Sequence, residues 1–349
     1  MPKLLYRDKP AFGIEISQTG LRVMAINNKR KVLGYGSIEV DPARLEESLQ
    51  HSPDFLTRTI QSLIHDRING RLPSNHVVLS APTSHTFTRS LNVPISAAKN
   101  LLDAVKLEAE QYIPIPTDDL SIDYQIIDRG PEMLDILMSA TPKNITNIMV
   151  EATRNAGLWP VLIEPSVSSV ARLITETEHG DFPTIIVDIG ASVTELAILN
   201  KTIRVTGGAS LGGNTFTLAI AKHLKVTLEE AHRLKTHDGL NAGPRQTKIR
   251  TSLEPHLDLM VSEIQKTIRY YAERVGEAAK IEQVVIVGAG AYVPGIGDYL
   301  TEALMLPARV ANPWNLLDFG KLTPPPRQLR VRYLTAVGLA MMDTKEIWQ

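Results

Sequence analysis

The stretch Thr184-Ile185-Ile186-Val187-Asp188-Ile189-Gly190-Ala191-Ser192-Val193-Thr194-Glu195-Leu196-Ala197-Ile198-Leu199-Asn200 reads as a strand, a tight small-residue turn and a second strand. Apolar runs bounded by turn residues are strand signals. Asn200-Lys201 then turns the chain into a third strand at 202–206. The N-terminus repeats the pattern, with strands at 11–17, 21–26 and 32–40 and a turn at Asn27-Asn28-Lys29. Glu15-Ile16-Ser17 falls on Asp188-Ile189-Gly190, and Val23, Ala25, Ile26 and Asn27 fall on Leu196, Ile198, Leu199 and Asn200. Each copy ends its first strand on an acid. An internal repeat of this kind decides a fold, and here it predicts two copies of one α/β unit.

Working outward, Ser52-Pro53-Asp54 starts a helix in which Leu56, Ile60, Ile64 and Ile68 recur every four residues, with Gly70 as its stop. A strand follows at 76–80. A different segment then lies between the copies. A helix from Ser96 puts Leu101, Val105, Ala109 and Tyr112 on one face and ends at Pro114 and Pro116. Strands at 121–127 and 134–140 flank Gly130-Pro131. Thr141-Pro142 opens a helix carrying Ile145, Ile148, Met149, Ala152 and Ala156, stopped by Gly157. This is a small α+β insert. Beyond the second copy come helices at 227–236 and 255–277, a strand at 283–287, a helix at 296–305, a proline-rich loop at 322–328 and a last helix at 333–342.

Bulk properties narrow the function. A chain of 349 residues suggests two domains or one bilobal unit. A net charge of -1 leaves no basic surplus for phosphate backbones, so nucleic acid is not expected as a partner. The absence of cysteine removes disulfides, thiolate metal sites and a cysteine nucleophile, and it suits a reducing cytosol. Residues 1–10 carry no signal-like apolar stretch, and no run has the length of a membrane span.

Four elements could carry chemistry. In Asp188-Ile189-Gly190-Ala191-Ser192, small residues let backbone N–H groups approach a phosphate, and the strand-end carboxylate can hold magnesium through water. Thr194 adds a hydroxyl. The same residues would also make an ordinary hairpin with Asp as turn former. The matching turn at Glu15–Thr19 favours the first reading, since two such hairpins could clamp a polyphosphate. Gly288-Ala289-Gly290 follows an apolar strand. A dinucleotide fingerprint would need glycine at Val293 and an acid about 20 residues on, so this is a glycine-rich strand-to-helix turn instead. Two double glycines, Gly207-Gly208 and Gly212-Gly213, precede a helix whose N–H groups would be free for an anion. Glu229, Glu230 and Lys235 lie on one helix, a pattern that usually marks a solvated face. No phosphate-loop motif and no HExxH occurs, and His232 and His237 read as surface or core residues.

Together these elements resemble the nucleotide site of the actin-like ATPases. Within that class, Glu108-Ala109-Glu110-Gln111-Tyr112-Ile113-Pro114-Ile115-Pro116 closely resembles the PilM family of type IV pilus machinery. Val187–Thr194 and Ala311-Asn312-Pro313-Trp314 resemble it as well. The resemblance implies an α/β, actin-like (ribonuclease H-like) duplicated two-lobe ATPase fold with an inserted α+β 1C subdomain. It places subdomain 1A at 1–80, 161–183 and 325–349, 1C at 81–160, 2A at 184–206 and 250–324, and 2B at 207–249. It implies ATP and Mg2+ bound between the lobes. It also implies a partner, the cytoplasmic N-terminal peptide of the inner-membrane protein PilN, in a groove between 1A and 1C. Pilus motor ATPases are further candidate partners. The setting would be cytoplasmic, against the inner face of the cytoplasmic membrane through a partner, in pilus assembly and twitching motility.

Carried over residue by residue, Asp188 would hold Mg2+ through water, with Glu15 as a second candidate. Gly190, Ala191 and Thr194 would form the second phosphate hairpin, and Gly212 and Gly213 would line the phosphates. Glu230 and Lys235 would reach ribose and base, and Gly288 and Gly290 would face the adenosine. Ser17, Gln18, Thr19 and Arg22 would form the first hairpin. Here the chain departs from the family, which has Asp-x-Gly-Ser and a following Lys. Glu15 adds a methylene, Ser17 adds a Cβ, and Arg22 changes the shape of the cation. The expected activity is at most that of a weak ATPase, in a scaffold. The alternatives are a small-molecule kinase of the same fold, for which no base or sugar pocket stands out, and an FtsA-like membrane-tethered filament protein. The latter would carry a basic amphipathic C-terminal helix, whereas Met341–Gln349 is short and mixed in charge.

Overall fold

The computed structural model describes residues 10–177, 182–241, 243–275 and 280–343. The readings made at 1–9, at 276–277 and at 344–349 lie outside the described residues. The chain forms two compact units, one from the described residues up to Thr177 and from Pro313 onward, the other from those between.

In the first unit, β1 (Ala11–Ser17), β2 (Gly20–Ile26) and β3 (Val32–Glu39) make an antiparallel meander. Helices α1 (Pro42–His51) and α2 (Asp54–Asp66) follow. The short strand β4 (Ile68–Gly70) and β5 (His76–Ala81) complete the opening segment. Later strands are β6 (Phe87–Pro94), β7 (Leu120–Arg129), β8 (Met133–Pro142) and β9 (Trp159–Pro165), with α3 (Leu101–Glu110), α4 (Lys143–Asn155) and α5 (Ser166–Thr177) among them. The main sheet has the order β4-β3-β2-β1-β5-β9, with β1, β5 and β9 parallel.

Its core forms because Phe12, Ile14, Ile16, Leu21, Val23 and Ala25 alternate onto one side and meet Leu45, Leu49, Leu56, Ile60 and Leu63 of α1 and α2. Helix α1, absent from the sequence-based expectation, carries a complete start signature. Asp41 Oδ1 accepts from the amides of Ala43 (2.8 Å) and Arg44 (3.2 Å), and Pro42 takes the first turn. Gly70 does not stop α2. The helix ends at Asp66, and Ile68–Gly70 pairs with β3 as an edge strand.

The insert is a three-stranded antiparallel sheet, β6-β8-β7, covered by α3. Its core is separate, with Leu101, Val105 and Ala109 of α3 packed on Leu91, Val93, Leu134, Ile136 and Met138. Tyr112, expected on the same face, is exposed and lies under the Arg89 guanidinium at 3.8 Å. Helix α4, expected within the insert, buries Ile145, Met149 and Ala152 in the main core instead.

In the second unit, β10 (Thr184–Ile189), β11 (Thr194–Asn200) and β12 (Thr202–Ala209) repeat the meander. Helices α6 (Gly213–Leu224), α7 (Leu228–His237) and α8 (Gln246–Val275) follow. Strand β13 (Gln283–Val287), helix α9 (Ile296–Leu304) and strand β14 (Ala308–Val310) complete the unit. The sheet order β12-β11-β10-β13-β14 reproduces β3-β2-β1-β5-β9, with β10, β13 and β14 parallel. The duplication reaches irregular details. The first meander shifts register between Ala25 and Ile26, the second between Ile198 and Leu199, the residues that align in sequence. Arg30 (φ 59°) and Lys201 (φ 63°) each adopt left-handed backbone in the turn that follows. Helix α8 starts at Gln246, nine residues ahead of the expected start at Pro255, which is carried inside the helix.

The segment 313–324, expected with the second half, belongs to the first unit. Trp314 stacks on Phe319 (5.8 Å) and meets Tyr333 edge-on, and the amide of Val32 donates to Asp318 O at 2.8 Å. Helices α10 (Arg327–Arg330) and α11 (Leu334–Ala340) end the described chain. Helix α11 crosses β1 at Gly13, where a Cβ would press on Leu339 and on Ala336 O.

Candidate functional site

Strand β10 delivers Asp188 to its C-terminal end and breaks into the turn 190–193, closed by the Gly190 amide donating to Val193 O (2.9 Å). The start of α6 is tied to that turn. The amide of Gly213 donates to Gly190 O (2.9 Å) and that of Asn214 to Ala191 O (2.8 Å). The helix therefore begins at Gly213, and its first two amides are spent on the hairpin, contrary to the expectation of free N–H groups there. Gly212 is required by the same contact, since a Cβ on it would lie 2.6 Å from Gly190 O.

The turn after β13 approaches from the parallel neighbour of β10. Gly288, at φ 82°, lies against Asp188, and a side chain there would overlap Asp188 Oδ1. A side chain on Gly290 would overlap Ile189. Across the cradle, a Cβ on Gly213 would sit 3.4 Å from Lys235 Nζ, 3.7 Å from Gly190 O and 3.9 Å from the Gly290 Cα. The second unit thus brings Asp188, Gly190, Ala191, Gly212, Gly213, Lys235, Gly288 and Gly290 into one place.

Two of the side chains are already engaged. Lys235 is buried on α7, and its Nζ donates to Gly213 O and to Thr217 Oγ1, both at 2.8 Å. Thr194 is fully buried, with its hydroxyl donating to Leu211 O (2.9 Å). Glu230 is half-buried and receives two bonds from Arg233, at 2.8 and 2.6 Å, which hold its pKa below the usual carboxylate range. Burial pushes the Asp188 carboxyl up to about 6. A cation is the natural complement of such a carboxylate. Among the described residues no cluster of three metal-ligating side chains occurs. One carboxylate beside a main-chain cradle is a donor set that suits Mg2+ carried in with phosphates.

In the first unit Glu15 sits opposite Arg22 in the β1–β2 register. Arg22 is 2% exposed and reaches Ser17 Oγ (3.0 Å), Thr19 Oγ1 (3.4 Å) and Glu39 Oε1 (3.0 Å). Gln18 occupies the tip of the turn between β1 and β2. A cavity of about 450 Å³ lies in this unit, lined by Gln50 of α1, His85, Ile115, Asp119, Lys143 and Ile145 of α4. A neighbouring one of about 340 Å³ is lined by Glu110 and Ile113–Asp118. The only signal for these in sequence was Pro114-Ile115-Pro116. Thr217, which anchors Lys235, was also missed; its one mark is its place four residues after Gly213.

The family model described as type IV pilus assembly protein PilM matches residues 13–344. The chain belongs to the PilM family. The structure of a PilM–PilN type IV pilus biogenesis complex is similar to it at 24% identity, with a TM-score of 0.78, covering 96% of this chain and 98% of that one. MreB5 of Spiroplasma citri, in its ADP-bound structure, aligns at 14% identity and a TM-score of 0.52 over 98% of both chains. EutJ of Carboxydothermus hydrogenoformans aligns at 14% identity and a TM-score of 0.55, over 95% of this chain and 89% of that one. The cell division protein FtsA of Borreliella burgdorferi is 23% identical, covering 82% of this chain and 74% of its own length. The fold of this PilM-family chain is the actin-like one, which accounts for the two matching meanders.

Proposed function

We propose that this PilM-family chain is a scaffold of pilus assembly that binds ATP with Mg2+ and holds the N-terminal cytoplasmic peptide of a PilN-type inner-membrane protein. The observation that carries the peptide reading is the cavity of about 450 Å³, walled on one side by α1 and α4 and on the other by His85, Ile115 and Asp119 of the insert segment. It lies beside the proline-rich motif through which the sequence resembles the family. A solved structure to which the chain is similar is a PilM–PilN complex, which supports a PilN-type occupant. The nucleotide reading is supported by the glycine cradle and by Asp188. There Gly190, Ala191, Gly212 and Gly213 would line the phosphates at close backbone approach, Asp188 would position Mg2+ through water, and Gly288 and Gly290 would lie against the nucleoside. Bound Mg2+ would neutralise phosphate charge. Lys235 keeps the cradle's rim in place. Nucleotide occupancy would alter peptide affinity only as far as it favours one state over another. Among the described residues no helix is long and apolar enough to cross a membrane, so attachment to the inner membrane would run through the partner.

Calorimetry of a PilN-type N-terminal peptide, with and without Mg-ATP, tests the proposal. Binding that shifts with nucleotide is the expected result. Binding indifferent to nucleotide leaves a scaffold with no coupling, and absence of peptide binding overturns the reading.

A further inference from the structure

Arginine at position 22 stands where the family resemblance implies a lysine, and its guanidinium is 2% exposed. It forms a fork beneath the first hairpin. One nitrogen donates to Ser17 Oγ (3.0 Å) and Gly20 O (3.5 Å), the other to Thr19 Oγ1 (3.4 Å) and Glu39 Oε1 (3.0 Å). Glu39 is in turn bound by Arg332 at 3.2 Å, so the charge of the fork is met from the exposed side of β3. A hydroxyl has one proton to give. Ser17 gives its proton to Gly20 O (2.9 Å) while accepting from Arg22. Thr19 Oγ1 lies 3.5 Å from Ser17 Oγ and accepts from the same guanidinium. The second hairpin shows the same habit, with the Thr194 hydroxyl committed to Leu211 O.

We infer that Arg22 is a positioning residue that latches the first hairpin from its buried side, so that the hairpin offers a phosphate its main-chain amides and not the hydroxyls of Ser17 and Thr19. This rests on the nucleotide reading above for its ligand, but the latch itself is a property of the free protein. An ammonium cannot reproduce the fork, because it lacks the planar pair of donor edges.

The experiment uses the full chain, with Mg-ATP as the probe and amide hydrogen exchange as a second readout. Ser17→Ala and Thr19→Ala are expected to keep Mg-ATP affinity within about twofold of the parent. Arg22→Met is expected to speed exchange of the amides at 17–20 by about tenfold or more while amides of β5 and α11 stay protected. It should weaken Mg-ATP by about tenfold without changing the salt dependence of binding, since no phosphate contact is lost. Arg22→Lys should behave like Arg22→Met. A tenfold loss in Ser17→Ala or Thr19→Ala with exchange at 17–20 as slow as in the parent, a reduced salt dependence in Arg22→Met, unchanged exchange in Arg22→Met, or full recovery by Arg22→Lys would each overturn the inference. A parent protein that binds no Mg-ATP would sink the nucleotide reading, and the exchange measurement would still decide the latch.

Discussion

Gly288 lies against the Asp188 carboxylate so closely that the space for a side chain at 288 is taken by Asp188 Oδ1. The two residues come from parallel neighbours, β10 and β13, whose register pairs Asp188 with Val287. Glycine here does two things: it adopts φ 82° and leaves the acid room.

Gly288→Ala should therefore be damaging on both counts. The positive φ and the overlap with Asp188 together predict a loss of about 2–4 kcal/mol in stability. Urea unfolding measures it. Mg-ATP binding should fall in the same variant, because the acid would be pushed from its place.

The raised pKa of Asp188 sets a pH dependence. The folded state binds this proton up to about pH 6, while the unfolded chain releases it near 3.8. Between those values the folded state holds more protons, so stability falls as pH rises through the window and stays low above it. Asp188→Asn should be more stable than the parent at pH 7 by about 1–3 kcal/mol, with the gap closing towards pH 4. Denaturation curves across that range give the answer. The same substitution should weaken Mg-ATP, so stability and binding move in opposite directions.

Arg172 and Glu164 form a two-pronged pair at 2.8 and 2.7 Å, and Arg172 also donates to Gly338 O at 2.8 Å. Glu164 is buried, at the end of β9. Arg172→Met would leave that carboxylate without its cation and should cost about 2–4 kcal/mol. Glu164→Gln, which removes the charge but keeps the shape, should cost less. Unfolding midpoints of the two variants separate these cases.

Ile115 lines both cavities of the first unit. Ile115→Glu would replace the apolar contact that both cavities share with a charge and should weaken a PilN-type peptide by about tenfold or more. Calorimetry checks this, with circular dichroism to show that the insert remains folded.

The repeat was legible because it rests on short-range patterns. Strand-end acids, turn residues and alternating apolar positions are local, and they located β1, β2, β10, β11 and β13 to within a residue or two. The bulges at Ala25/Ile26 and Ile198/Leu199 even fall on the aligned positions. The cradle glycines were legible too, because few apolar elements tolerate so many small residues together. Helices α1 and α5 and strands β6, β9 and β14 were missed, although most carry ordinary signals. Their apolar residues only gain meaning beside the elements they pack on.

Periodicity shows which face of an element is apolar but not what covers it. That is why α4 could be placed with the insert, when Ile145, Met149 and Ala152 bury against α1 and α2. It is also why the segment 313–324 could be placed with the second half, when Trp314 and Phe319 pack beside Tyr333 of the first unit. The polar residues show the same limit more sharply. A sequence displays Arg22, Thr194 and Lys235 as groups able to meet a ligand. Whether they point outward or are consumed inside depends on Glu39, Leu211, Gly213 and Thr217, partners 17 to 22 residues distant along the chain. Chemical type and local backbone are properties of the chain's own neighbours in sequence, whereas the direction of a polar side chain is set by which acceptors folding brings beside it.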